Sequence, residues 1–359
     1  MRVKCHTALE DFSALSREWD ALLEHSVTDA IFLRWFWQRA WWEAYGGGKA
    51  LRLLTVRNEA GRLLGIAPLF HHEVLVADKG EPFPGLSIER PQTVPAGIPW
   101  RMLHLIGGSE VSDYLDFLVE RDSAPVVCEA MFRYLSEEMR DWDMLDLHCL
   151  PASSPLLAHL PPLAEARGYK AASTREDVCP IITLPSTWEE YVSSLGRKER
   201  HELRRKVTKA EREASPSWRK TENPATLAED LALFFRLHEQ SDPEKAAFWD
   251  ERTRLFFRAI AEGAQRNGWL ELSFIYFGSR PVGSLFCFDY KGDILVYNSG
   301  YDPSVYLAFS PGLVLFSYII HDAIARGRKR FDFLRGDERY KYDLGGKETA
   351  VYRLTIAPG

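Results

Sequence analysis

The sequence predicts an α+β protein built from two copies of one unit, each a mixed sheet flanked by helices. Two observations carry this. VRNEAGRLLGIAPLF (56–70) parallels IYFGSRPVGSLFCF (275–288), each a strand, a turn and a strand with a glycine soon after the turn. A helix at 125–140 with a strand at 144–150 then parallels a helix at 311–327 with a strand at 330–335, which sets Asp146 opposite Asp332. The copies are expected at 1–165 and 166–359. The first has no counterpart of the polar tail RGDERYK followed by GG, so chemistry is expected in the second.

The elements follow in order. Residues 11–25 form an amphipathic helix through Leu15, Trp19, Leu22 and Leu23. The aromatic helix IFLRWFWQRAWWEAY ends at Gly46-Gly47-Gly48; its tryptophans fill a core or make a stacking platform for a base or sugar. Strands at 51–57 and 63–71 flank the turn Asn58-Glu-Ala-Gly61. Pro- and Gly-rich residues 78–109 read as loop, 113–120 as strand and 151–162 as linker. The second half opens with a strand at 179–185, and Ser186-Thr-Trp-Glu-Glu190 matches a capping box. A basic helix at 196–213 and helices at 225–240 and 244–266 precede a meander at 270–277, 282–290 and 293–299. Ser310 reads as an N-cap and Pro311 as the first helical position, so the 311–327 helix turns its unpaired N–H groups toward loop 301–309, an end that attracts anions.

At 359 residues with a net charge of −6, the chain has the size of two domains, and the charge argues against a general nucleic-acid coat and against DNA. Cys5, Cys128, Cys149, Cys179 and Cys287 are odd in number and far apart, which indicates neither a disulfide framework nor a zinc site, and no metal is expected. No stretch approaches a membrane span; a cytoplasmic protein with room for peripheral membrane contact is the expectation.

FLRWFWQRAWWEAYGG, GIAPLF, SDYLDFLV, LDLHCLPASSP, SLGRKERHELRRK, GYDP with SPG, and FDFLRGDERYK, in this order over nearly the whole chain, resemble the CelD-like branch of tandem acyltransferases. These are similar to FemAB peptidyltransferases and contain two copies of the GNAT (acyl-CoA N-acyltransferase-like) fold. The resemblance implies acyl transfer from a thioester or ester carrier to an amine or hydroxyl. It also implies that strands on either side of the 311–327 helix part to admit the carrier, with backbone N–H groups from Tyr297 through Ser299 to Gly300 as oxyanion donors. YKYDLGG resembles the Phe-Lys and Phe-Gly-Gly segment of FemAB-type enzymes, which places their active-site lysine at Lys341. The usual GNAT phosphate signature is absent; AFSPG stands there instead, which weakens acetyl-CoA as donor and keeps aminoacyl-tRNA, the FemAB donor, in view.

No GxSxG elbow occurs, so direct attack fits better than a covalent intermediate. Asp332 or Asp302 is the candidate base, with Glu338 behind them, and Lys341 a stabiliser of the oxyanion or of a phosphate. Ser310, Gly312 and Arg335 are candidate carrier contacts. The basic helix 196–213 is a candidate for tRNA or carrier phosphates; its Glu/Arg spacing equally suits a solvated face. The expected reaction moves a short acyl group from acyl-CoA to a sugar or polysaccharide precursor. The alternatives are an aminoacyl-tRNA-dependent transferase and a non-catalytic glycan- or lipid-precursor-binding module.

Overall fold

The computed structural model describes residues 1–74, 99–108 and 110–359. The chain divides into two compact units, Met1–Asp177 with Ala350–Gly359, and Val178–Thr349.

Unit 1 opens with β1 (Arg2–His6), a strand with no sequence signal. The expected helix 11–25 is two helices, α1 (Leu9–Ala14) and α2 (Ser16–Leu23), joined at Leu15. Helix α3 (Trp35–Tyr45) carries the aromatic run. Trp37 and Trp41 are buried, and the Trp37 indole N–H donates to Ser112 Oγ at 2.9 Å, so they are core. The hairpin of β2 (Ala50–Arg57) and β3 (Leu63–Val74) closes as expected, with Gly61 at φ 82° and the Asn58 side chain accepting from Arg62 N.

Of the loop expected at 78–109, residues 78–98 and 109 lie outside the described residues, and the rest contains β4 (Trp100–Leu105). The strand expected at 113–120 shrinks to β5 (Leu118–Val119). Buried Asp116 supplies the competing bonds: it accepts from Thr28 and Ser154 hydroxyls and from Phe117 N. Burial without a cation pushes its carboxyl up to about 7, against these hydrogen bonds.

Helix α4 (Ala124–Glu137) leads to β6 (Met144–Pro151). The expected linker 151–162 contains most of α5 (Pro155–Glu165), capped by Ser154 Oγ at Leu156 N and kept despite Pro161 and Pro162 because it buries Leu156, Leu160 and Ala164.

Strand β7 (Tyr169–Thr183) runs past the boundary between the units. In unit 2 the capping box forms at α6 (Trp188–Ser194): Glu190 N donates to Thr187 Oγ1, and the Glu190 carboxylate accepts from Ser186 N. The basic helix is α7 (Arg197–Glu213), followed by β8 (Pro216–Lys220) and α8 (Leu227–Ser241). The expected helix 244–266 is broken into α9 (Pro243–Ala247) and α10 (Glu251–Arg266), because Asp250 caps the second at Thr253 N. The meander β9 (Leu270–Phe277), β10 (Arg280–Tyr290) and β11 (Asp293–Tyr301) is as read.

The expected loop 301–309 contains the short helix α11 (Pro303–Phe309). Then come α12 (Pro311–Ala325), β12 (Arg330–Asp332), α13 (Arg339–Asp343) and β13 (Lys347–Pro358).

The units share a plan. The strand order is β1-β2-β3-β4-β6-β13 in unit 1 and β8-β9-β10-β11-β12-β7 in unit 2. The pairs β4/β6 and β11/β12 are parallel and are connected through α4 and α12; the other neighbours are antiparallel. His104 and Asp146 face each other in one parallel pair and Leu295 and Asp332 in the other, as the sequence repeat requires. Among the described residues, no helix is long and apolar enough to cross a membrane.

Candidate functional site

β11 and β12 pair only at 293–295 with 330–332, after which β11 continues to Tyr301 without that partner. Ahead of that end lies a bulge: Val296 and Asn298 oppose Cys287 and Phe286, leaving Tyr297 as an extra residue. Gly300 lies so close to α8 that a Cβ would sit 2.5 Å from His238 N, so glycine is required for the contact.

The bulged end is held by polar groups. Trp249 N–H donates to His238 Nδ1 at 3.0 Å, which fixes the tautomer; Nε2–H then donates to Asn298 Oδ1 at 2.6 Å. Burial, reinforced by Lys245, pushes His238 down to about 4, so the ring is neutral at pH 7. Asn298 Oδ1 also accepts from Ser299 N, and Lys245 Nζ donates to Ser299 O at 2.6 Å.

Between the end of β11, the start of α12, and helices α7 and α13 lies a cavity of about 500 Å³. Ser299, Gly300, Ser310 and Gly312, four of the sequence-derived carrier contacts, are on its wall. Ser310 is not the side-chain cap expected: its backbone is left-handed (φ 48°) and its side chain makes no capping bond. Val314 N makes the first helical bond, to Ser310 O, which leaves the N–H groups of Gly312 and Leu313 without a helical acceptor at the cavity wall. Leu285, Leu313, Phe316 and Leu344 make the wall largely apolar.

Tyr297 and Arg335 are not on this wall. The Tyr297 ring packs against Phe257 and Phe286 instead. Nor are Asp332, Lys341, Asp302 and Glu338 on it. Asp332 is buried and accepts from Leu334 N at 2.8 Å, shaping the turn after β12. Lys341, 2% exposed, donates to the carbonyls of Leu334, Arg335 and Gly336 and pairs with exposed Glu338 at 2.9 Å. Gly336, at φ 115°, makes room for both: a Cβ there would meet Glu338 at 2.3 Å and Lys341 Nζ at 2.9 Å. Asp302 pairs with Arg280 and accepts from Ser304 N; burial pushes its carboxyl up, but these bonds outweigh it and hold it below the usual range.

Tyr340 lies on the wall, and the sequence placed it in the polar tail without a role. Its ring packs on Phe316 (5.4 Å) and Phe333 (6.0 Å), and among the described residues its hydroxyl has no hydrogen-bond partner. Burial drives the phenol well above its ordinary value, so it keeps its proton at neutral pH. Of the wall carboxylates, Glu202 is pulled down to about 2 by Arg205 and Lys206, whereas Asp343 has a longer contact, 3.6 Å, to Arg339.

Residues 197–342 match the family model for the acetyltransferase (GNAT) domain. Unit 2 is a GNAT acyltransferase domain. Unit 1 has the same strand order, so the chain carries two GNAT-like folds in tandem. Its fold is similar to that of FemX (11% identity, 99% of this chain and 97% of that one, TM-score 0.62). It is also similar to L-PGS from Bacillus licheniformis (11% identity, 94% and 90% coverage, TM-score 0.53). A third similar fold is the C-terminal domain of a putative lysylphosphatidylglycerol synthetase from Agrobacterium fabrum (8% identity, 96% and 92% coverage, TM-score 0.53). No curated protein matches the sequence.

Proposed function

We propose that unit 2 transfers a short acyl group from acyl-CoA to an amine or hydroxyl of a sugar or cell-envelope polysaccharide precursor, in the cytoplasm. The supporting observation is the cavity where the end of β11 meets the unpaired N–H groups of α12. An acyl carrier entering there sets its carbonyl beside fixed backbone donors, which stabilise a developing oxyanion without reorganising.

The acceptor nitrogen or oxygen attacks the carbonyl carbon, the tetrahedral oxyanion collapses, and the carrier's sulfur or oxygen leaves. Asp343 takes the acceptor proton, and Tyr340 O–H gives one to the leaving atom; solvent then returns a proton to Tyr340 and removes one from Asp343. The CelD-like placement belongs to this reading. Asp332 and Lys341 support the site by holding the turn at 334–336.

A second donor has a specific observation in its favour. One similar fold is by name the C-terminal domain of a putative lysylphosphatidylglycerol synthetase, and an aminoacyl ester of tRNA is the donor this favours for the same cavity.

Tyr340→Phe should lower kcat at least about tenfold, roughly 1.4 kcal/mol of barrier, with an unchanged melting temperature. Leu313→Trp, which fills the cavity, should abolish turnover. CoA should raise the melting temperature of the wild type, and RNase should leave activity intact; loss of activity with RNase and its return with charged tRNA selects the second donor. Wild-type rates in both variants would remove the cavity from the reaction.

A further inference from the structure

Helix α7 is electrostatically divided. In its later turns cations are engaged: Arg205 and Lys206 pair with Glu202, Arg212 pairs with Glu213, and Lys209 donates to Ala308 O. In its first turns Arg197, Lys198, Arg200, His201 and Arg204 surround a groove of about 620 Å³. None of the five has a carboxylate partner among the described residues; Arg200 donates only to Ser193 O. Cations here oppose the helix dipole, whose positive end favours acids in the first turn. Helix stability therefore does not account for the cluster, in a chain whose net charge is −6. A bound anion would reverse both penalties.

The groove and the cavity share a wall residue, Lys198. A ligand with an apolar acyl end and an anionic tail can occupy both. We infer that the groove at the start of α7 holds the phosphate groups of a nucleotide-bearing acyl carrier whose acyl end occupies the neighbouring cavity. This rests on the acyl-transfer reading. It adds where the carrier's charged end lies and which side chains select it.

The test uses the full chain with Arg200→Gln and Arg204→Gln combined, and a second pair, Arg197→Gln with Lys198→Gln, each first checked for a wild-type circular dichroism spectrum and melting temperature. Binding is titrated with CoA, with 3′-dephospho-CoA and with an RNA hairpin ending in a tRNA acceptor sequence, over a range of salt. Both pairs should weaken binding of the true donor at least tenfold at low salt and raise its KM by a similar factor. For RNA, the salt slope should shrink by about 0.7–0.9 for each phosphate that the variant no longer neutralises. Weakened CoA binding names the small carrier and weakened RNA binding the large one; either supports the proposal. Unchanged affinity for all three probes overturns it. So does lost binding to phosphatidylglycerol vesicles with donor KM unaltered, since the groove would then serve a membrane. Leu313→Trp separates the two readings: if it abolishes turnover while the charge variants do nothing, only the groove assignment fails. If it changes nothing, acyl transfer at this cavity fails.

Discussion

The two units carry the same six-strand plan, and their strand ends differ. In unit 2 the β10/β11 ladder is interrupted by the bulge at Tyr297, and beyond it β11 lines a cavity. In unit 1 the corresponding β3/β4 ladder pairs without a shift from Leu69–Leu105 to Val74–Trp100. Asp146, the counterpart of Asp332, is enclosed in charge. Arg353 donates to both its oxygens at 2.7 and 2.8 Å, and His148 contacts it at 3.1 Å while bonding Glu176 at 2.6 Å through its other nitrogen. His104, Asp146 and His148 bring possible ligand atoms within 4.8 Å of one another, yet Arg353 and Glu176 already engage two of the three. One copy has closed its strand end with ion pairs; the other keeps it open with backbone donors. The two units thus share a strand order, while the aspartates at equivalent positions make different contacts, Asp146 with Arg353 and Asp332 with Leu334 N.

The largest effect expected from breaking this contrast is in unit 1. Asp146→Asn or Arg353→Leu should each cost roughly 3–5 kcal/mol in urea unfolding, because each removes one partner of a buried, doubly hydrogen-bonded ion pair. Asp146→Leu with Arg353→Leu should recover much of the loss. Single variants within about 1 kcal/mol of wild type would show that the network does not hold unit 1 together.

A smaller effect is expected at Lys341. Lys341→Met removes the donor to three carbonyls and should cost roughly 1–3 kcal/mol of stability. Its turnover should fall only as far as the turn at 334–336 is disturbed. Turnover falling more than tenfold with unchanged unfolding would instead return Lys341 to the chemistry itself, and the same comparison applies to Asp332→Asn.

A third effect concerns pH. Burial pushes His148 down, but Asp146 and Glu176 outweigh it and raise the ring to about 9 from an ordinary 6.5. With the folded value raised, the stabilisation is complete below about pH 6.5 and is lost as pH rises through 9. Unfolding free energy should therefore decline across that window, and His148→Gln should flatten the decline; an equal slope in both proteins would assign it to another group.

Much of the fold was legible because its signals are local. The turn at Asn58–Gly61, the box at Thr187–Glu190 and the apolar run of α12 each lie within a few consecutive residues. Strands β1, β8 and β13 were missed because partners remote in sequence define them, and β8 is only five residues long. Helix α5 was hidden by Pro161 and Pro162, whose cost is met by burial visible only in three dimensions. At the site, Ser299, Gly300, Ser310 and Gly312 were readable because a helix start and a strand end position them. The environment of Lys341 was not, since its three carbonyl partners converge only once Leu334 adopts φ 56° and Gly336 φ 115°. Tyr340 gave no local cue, as its free hydroxyl is a property of the packed ring.

The exchange of final strands between the units bears on synthesis. Every strand of the unit 2 sheet lies between residues 169 and 332, so all are made before the segment 350–358 that finishes the unit 1 sheet. As the polypeptide leaves the ribosome, the GNAT domain can therefore mature first, while unit 1, begun earlier, waits with an uncovered sheet edge along β6 and with Asp146 lacking Arg353.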